Sequence, residues 1–163
     1  MILGMSIPVF LTLHVTLSLV GIVSGLAAAA AMVQGRYPAG VTAVFLATTT
    51  LTSATGFPLP PYGFDPPRVV GTLSLVLLAF AVAGLYVFKR AGAWRWIYIG
   101  TALAALYLNC FVAVIQSFQK IPAVNALAPT QTEPAFLIAQ VVLLMAFIAI
   151  GVIAIRGKHP GRS

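Results

Sequence analysis

The sequence predicts an all-α, polytopic membrane protein in which residues 1–163 form a single bundle of five transmembrane helices. Composition is the first observation behind this fold class, because 61% of the residues are hydrophobic and only 7% are charged, against about 25% charged in an ordinary soluble domain. The second is a series of long apolar stretches. The third is the distribution of the basic residues, which lie between those stretches and after the last one.

Each of five apolar stretches reaches the roughly 20 residues that a helix needs to cross a bilayer. The predicted helices cover about residues 7–33, 39–58, 69–88, 94–118 and 134–155. No segment between them is long enough to form a soluble domain. The first stretch is interpreted as a helix rather than a signal peptide, because no Lys or Arg precedes it and it exceeds the apolar core of about 7–15 residues found in such peptides.

The basic residues predict the orientation. Five spans place the two termini on opposite sides of the membrane, and seven of the nine basic residues then share a face. These seven are Arg36, Lys89, Arg90, Arg95, Arg156, Lys158 and Arg162, whereas the other face carries Arg68 and Lys120. The positive-inside rule makes the seven-charge face cytoplasmic. The N-terminus is therefore predicted to lie outside and the C-terminus inside.

Both acidic residues fall on the predicted outer face, each directly before a proline. Asp65 precedes the third helix and Glu133 precedes the fifth, and the N-termini of these two helices point outward. Free backbone N–H groups and the positive end of the helix dipole favour a carboxylate there. We interpret both residues as helix caps worth on the order of 1 kcal/mol each. The alternative is that they form the mouth of an outer vestibule for a cation or a polar ligand.

Intramembrane polar residues are concentrated in the predicted outer half. At about 1.5 Å per residue, His14 lies roughly 10 Å inside the outer end of the first helix. The second helix carries a hydroxyl-rich tract in its outer half, made of Thr48, Thr49, Thr50, Thr52, Ser53 and Thr55. Asn109 and Gln116 on the fourth helix and Gln140 on the fifth lie at similar depth. The inner half is almost wholly apolar.

Helical spacing indicates which faces carry these groups. His14, Ser18, Gly21 and Gly25 form one stripe on the first helix, and the Gly21–Gly25 pair is typical of closely approaching helices. We therefore expect the imidazole to point into the bundle. An alternative remains for each polar residue: Ser and Thr hydroxyls bond the carbonyl one turn back, and amide side chains hold helices together.

Asn109, Gln116 and Lys120 form a second stripe, on the fourth helix. The single cysteine, Cys110, excludes an intrachain disulfide. With His14 as the only intramembrane histidine, the three or so ligands of a zinc enzyme are missing. A bis-histidine haem would need a homodimer that supplies His14 twice.

The rest of the chemistry also favours a protein that is not an enzyme, and the sequence identifies no cofactor. The basic residues are better explained by membrane topology than by nucleic-acid binding. The predicted partners are the lipid bilayer and, because so small a bundle has little interior, a second copy or a larger membrane complex.

Three stretches carry a resemblance to known sequences: "TSATGFPLP", "GAWRWIYIGTALAALYLN" and "FVAVIQSFQKIPAVNALAPTQTEPAFLIAQ". They resemble a family of small polytopic bacterial membrane proteins to which no activity is assigned. The resemblance runs from the second helix onward and implies a multi-pass protein of the bacterial inner membrane. It implies no catalytic residues.

The leading functional hypothesis is a polar pocket in the outer half of the bundle that binds or passes a small ligand. Its predicted lining is His14, Thr52, Asn109, Gln116 and Gln140, with a mouth formed by Lys120, Glu133 and Asp65. One alternative is a structural or accessory subunit that docks a partner through its Gly21/Gly25 face. Another is a redox subunit that holds haem or quinone near His14.

Overall fold

The computed structural model describes residues 1–60 and 66–157, and these residues form six α-helices. The helices are α1 (Ile7–Val33), α2 (Ala39–Gly56), α3 (Pro66–Val82), α4 (Trp94–Lys120), α5 (Pro122–Asn125) and α6 (Pro134–Arg156). Apart from one isolated bridge between Ile2 and Met5, the described residues contain no β-structure. The predicted all-α fold is confirmed for this part of the chain.

The ends of the helices differ from prediction where prolines and one irregular turn intervene. Helix α2 ends at Gly56, since Pro58 and Pro60 lack the N–H groups that would continue it. Helix α3 already begins at Pro66, a residue type suited to a first turn. It then continues through the π-helical turn Ala83–Val87. The single-turn helix α5 was not predicted.

Within residues 1–60 and 66–157, four helical segments are long and apolar enough to cross a membrane: α1, α3 together with its π-helical turn, α4 and α6. Helix α2 has 18 residues and is not among them, because its hydroxyl-rich tract lowers its hydropathy. Helix α6 leaves Leu137, Ile138 and Val142 more than 60% exposed, an apolar surface that suits lipid rather than water. The chain has the character of a multi-pass integral membrane protein.

Helix α4 occupies the centre of the bundle and contacts α1, α2, α3 and α6. Its Tyr98, Ile99, Ala102 and Leu106 side chains are fully buried. Helix α6 packs along one side of α4 through aromatic pairs, among them Phe118–Phe136 with ring centroids 5.3 Å apart. The centre of the bundle therefore lies on one face of α4, and α6 covers another.

Two glycines of α1 allow its close approach to α2 and α4. A Cβ atom on Gly25 would lie 2.5 Å from Leu106 Cδ1 and 2.8 Å from Phe45 Cδ2, and one on Gly21 would lie 2.9 Å from Thr49 Oγ1. The predicted small-residue packing face is thus used within the chain. It is covered by α2 and α4 and is not presented to a partner.

The loops at one end of the bundle are held together by arginines. Arg95 Nη2 donates to the carbonyl oxygens of Ile155 at 3.3 Å and Gly157 at 3.4 Å, and the Arg90 guanidinium lies 4.0 Å from the centre of the Tyr37 ring. Arg90 thus joins the α3–α4 connection to the α1–α2 connection, and Arg95 joins the start of α4 to the end of α6. We call this the Arg95 end, and the opposite end, where α1 begins, the His14 end.

Candidate functional site

Two adjoining cavities open at the His14 end. The larger, about 630 Å³, lies between the first half of α1 and the last turns of α4; we call it the α1–α4 cleft. The smaller, about 100 Å³, lies between α1, α2, α3 and α4. His14, Ser18 and Arg68 line both cavities. The two cavities therefore belong to one recess in the polar part of the bundle.

His14 is held in a defined orientation by α2. Its Nδ1 atom lies 2.9 Å from Thr55 Oγ1, and that hydroxyl is 2.7 Å from the Leu51 carbonyl oxygen, to which it donates. A hydroxyl has one hydrogen to donate, so Thr55 accepts from His14 Nδ1–H. The other ring nitrogen, Nε2, has no hydrogen-bond partner among the described residues and, in the neutral imidazole, is an acceptor.

Asn109 joins α4 to α1 at the floor of the recess. Ser18 Oγ donates to Asn109 Oδ1 at 2.7 Å, and Asn109 Nδ2 donates to the Ser18 carbonyl oxygen at 3.3 Å. The side chain is buried and lines the small cavity. Both ends of its amide are engaged, so Asn109 fixes the distance between the two helices.

The hydroxyl-rich tract of α2 is mostly satisfied within its own helix. Thr52 Oγ1 donates to the Thr48 carbonyl oxygen at 2.9 Å, and Thr48 and Thr50 bond the carbonyls one turn back in the same way. Thr52 lines the small cavity. Its proton is taken up by the backbone, so towards the cavity its hydroxyl can only accept.

Gln116 and Lys120 line the α1–α4 cleft from the last turns of α4. Gln116 is half-buried and Lys120 is exposed. Neither side chain makes a hydrogen bond or an ion pair with any residue that the structure describes. The helical stripe predicted the face that they share, and their polar groups are available to a molecule in the cleft.

Arg68 was not predicted to be a site residue. Its Nη2 atom donates to the carbonyl oxygens of Phe57 at 3.1 Å and Leu59 at 2.9 Å. These bonds hold the residues after α2 against the start of α3 and so form one wall of the cleft. The sequence signal was a basic residue at the start of a helix, beside a Pro-rich connection. Asp65, predicted at the mouth, lies outside the described residues.

Gln140 is not brought to the recess. Its Nε2 atom donates to the Phe111 carbonyl oxygen at 3.3 Å, between α6 and α4. Helix α6 contributes no residue to the lining of either cavity. Similar predicted depth did not imply proximity, because α6 contacts α4 and α1 without reaching the cavities between α1 and α4.

Glu133 also lies away from both cavities, in the connection before α6. Its carboxylate accepts from Thr130 N–H at 3.1 Å, Thr130 Oγ1 at 2.9 Å and Thr132 N–H at 3.0 Å. It stands at the N-cap position, yet its side chain accepts no hydrogen bond from the first turn of α6. Desolvation raises the pKa of this carboxyl, and the hydrogen bonds outweigh that effect and leave the pKa below 4.5. Glu133 thus organises the preceding loop.

Metal chemistry has little support among the side chains of residues 1–60 and 66–157. Within these ranges no three His, Cys, Asp or Glu residues cluster as a metal site would require. Cys110 is buried and unpaired in the apolar centre. The recess instead offers hydrogen-bonding groups and a cation.

The fold defines the class, a multi-pass helical membrane protein, and one end of its bundle has a recess to which some polar side chains contribute. No family model, curated protein or solved structure matches the chain.

Proposed function

We propose that the chain is a five-span protein of the bacterial inner membrane that binds or passes a small ligand in the α1–α4 cleft. The observation that carries this proposal is the cleft itself. Its volume of about 630 Å³ falls within the range of roughly 300–1,000 Å³ typical of ligand sites. His14 Nε2, the Gln116 amide and the Lys120 ammonium group supply polar groups without partners among the described residues.

The fifth span of the proposal is α2. Helix α2 runs antiparallel to α1 and stays beside it, since Thr55 contacts His14 and Phe45 lies opposite Gly25. Eighteen residues at about 1.5 Å each measure roughly 27 Å, close to the roughly 30 Å of a bilayer core. A helix that runs beside a spanning helix over this length crosses the same layers.

The proposed orientation places the His14 end outside the cell. Contacts of Arg90 and Arg95 bring the basic connections together at the opposite end of the bundle. Such a basic end is retained in the cytoplasm during insertion. The cleft would then open on the outer side of the membrane.

The proposed activity is binding rather than catalysis. A general acid–base reaction or a nucleophilic reaction needs an activated group beside a second one that moves its proton. In the recess, His14 instead bonds a threonine hydroxyl whose own proton is committed to the backbone. The groups present can recognise a ligand and orient it.

Native mass spectrometry of protein purified in a mild detergent tests this function. We expect a bound small molecule on the wild-type protein and its loss from His14→Ala and Gln116→Leu. Thr101→Val is the matched control, because the Thr101 hydroxyl bonds the Ile97 carbonyl oxygen far from the recess. Folding of each variant is checked by circular dichroism. A wild-type protein without any bound molecule, or equal retention by all variants, would contradict the proposal.

A further inference from the structure

We infer that the ligand of the α1–α4 cleft is an anionic amphiphile, an alkyl chain that ends in a carboxylate or phosphate group. The inference rests on the proposed function and adds the chemical class of the ligand. It follows from the separation of charge and apolar surface within the lining of the cleft.

The charged side chains in the described lining are cationic. They are Arg68 and Lys120, and the described lining contains no Asp or Glu. Arg68 is engaged with the Phe57 and Leu59 carbonyl oxygens, so the cation that a ligand meets is Lys120. A carboxylate or phosphate would complement this ammonium group, whereas a cationic head would be repelled.

The apolar part of the lining is one face of α1. Ile7, Leu11, Val15 and Leu19 follow one another at intervals of four residues and line the cleft. The same side chains are 41%, 37%, 42% and 56% exposed, respectively. Because this apolar wall belongs to a membrane-spanning helix and is partly exposed, the cleft opens sideways to lipid. The stripe offers about 18 Å of apolar helix to an alkyl chain.

The cation and the apolar stripe of the cleft follow one another from the rim of the bundle inward, as the headgroup and the alkyl chain of a membrane lipid do. Lys120 is the last residue of α4 and Ile7 the first of α1, so both lie at the margin of the bundle. From there the apolar stripe leads towards the middle of the membrane. An anionic head placed at Lys120 would direct its chain along the stripe, the orientation that it already has in one leaflet. The ligand can therefore enter sideways, without turning over.

Photolabelling in phosphatidylcholine nanodiscs tests this inference. The probes are palmitate and hexadecanol, each carrying a diazirine at the same chain position, and the labelled peptides are mapped by mass spectrometry. We expect palmitate to label the α1 and α4 peptides at about a two- to fivefold lower concentration than the alcohol, the upper part of the range that one solvent-reachable ion pair gives.

The cation is tested by Lys120→Gln, which should remove the preference for palmitate, while Lys120→Arg should keep it. Lys89→Gln is the matched control, because it removes a lysine at the Arg95 end and should leave the preference unchanged. Unlabelled palmitate and lysophosphatidic acid are then compared as competitors of the palmitate probe. Stronger competition by palmitate indicates a free fatty acid as ligand, and stronger competition by lysophosphatidic acid indicates a lipid with a phosphate headgroup. Displacement by either one supports the inference.

Two results would overturn it. Equal labelling of the cleft by palmitate and hexadecanol would refute the anionic head and leave the proposed ligand site intact. Labelling confined to the lipid-facing side of α6 would show that alkyl chains do not enter the cleft. In that case the native mass spectrometry decides separately whether the recess holds another ligand.

Discussion

The two halves of the bundle use the same helices in opposite ways. Towards the Arg95 end, Gly25 lets Phe45 and Leu106 close against α1, and the centre is filled by buried apolar side chains. Towards the His14 end, polar residues link neighbouring helices through individual hydrogen bonds, as Ser18 and Asn109 do. At the Arg95 end, apolar side chains pack against one another. At the His14 end, single hydrogen bonds hold the helices at fixed distances, and a recess lies between them.

The polar groups of the two halves also have different partners. At the Arg95 end, charged side chains lie at the rim and bond backbone carbonyls or aromatic rings. At the His14 end, Gln116 and Lys120 point into the cleft and bond no described residue. The comparison predicts that stability depends on one half of the molecule and ligand binding on the other.

The largest effect is expected from truncation in the packed half. Phe45→Ala removes a ring that is 1% exposed and should lower the free energy of unfolding by about 3–5 kcal/mol. Leu11→Ala, in the open cleft, is the contrasting variant and should change stability far less. The measurement is unfolding monitored by circular dichroism in maltoside micelles. Equal losses in the two variants would remove the distinction between the halves.

The next effect concerns the close approach at Gly25. Gly25→Ala places a methyl group against Leu106 and Phe45 and should cost about 1–3 kcal/mol through overpacking. Gly100→Ala is the matched control, since a Cβ there meets nothing within 4 Å and alanine favours the helix by up to about 1 kcal/mol. The two variants should therefore shift the unfolding midpoint in opposite directions. A shift of the same sign in both would contradict the packing described here.

A smaller effect is expected from the interhelical bond in the polar half. Asn109→Ala removes both hydrogen bonds to Ser18 and should cost about 0.6 to 1.7 kcal/mol, from the average to the maximum measured for interhelical bonds in membranes. The Ser18 hydroxyl can turn to a carbonyl of its own helix, which limits the loss. Thr101→Val is the control, because it removes a side-chain hydrogen bond that lies within α4 and joins no second helix. A cost above that of Phe45→Ala would mean that the polar half supports the fold.

The smallest effect concerns the loop before α6. Because the pKa of Glu133 is lower in the folded protein, its contribution is present above the ordinary value of 4.5 and is lost as the pH falls through the folded pKa. We expect Glu133→Ala, or acid on the wild-type protein, to reduce the hydrogen-exchange protection of the Thr130 and Thr132 amides. The Asn125 amide, bonded to the Ile121 carbonyl oxygen, is the internal control. Unchanged protection of the two threonine amides would show that the carboxylate does not hold the loop.

The position of a residue along its helix was readable from the sequence, and rotation about the helix axis was readable only where a helix carries a stripe. His14 and Ser18 share a stripe on α1, and both line the recess with Asn109, as that pattern predicts. Helix α6 is apolar on all sides, so its lone Gln140 could not be assigned a face. Arg68 forms one wall of the cleft because of the way the chain turns after α2. No periodic sequence pattern predicts such a turn.

Thiol labelling tests whether the His14 end holds a water-accessible cleft on the outer side of the membrane while the rest of the interior is closed. Gln116→Cys and Ala102→Cys are each made in a Cys110→Ala background and treated in intact spheroplasts with a membrane-impermeant reagent. The wild-type protein, whose only cysteine is buried, shows the background. We expect labelling of the variant with cysteine at position 116 and none of the variant with cysteine at position 102. No labelling at position 116 in intact spheroplasts, with labelling only after the membrane is opened, would contradict it.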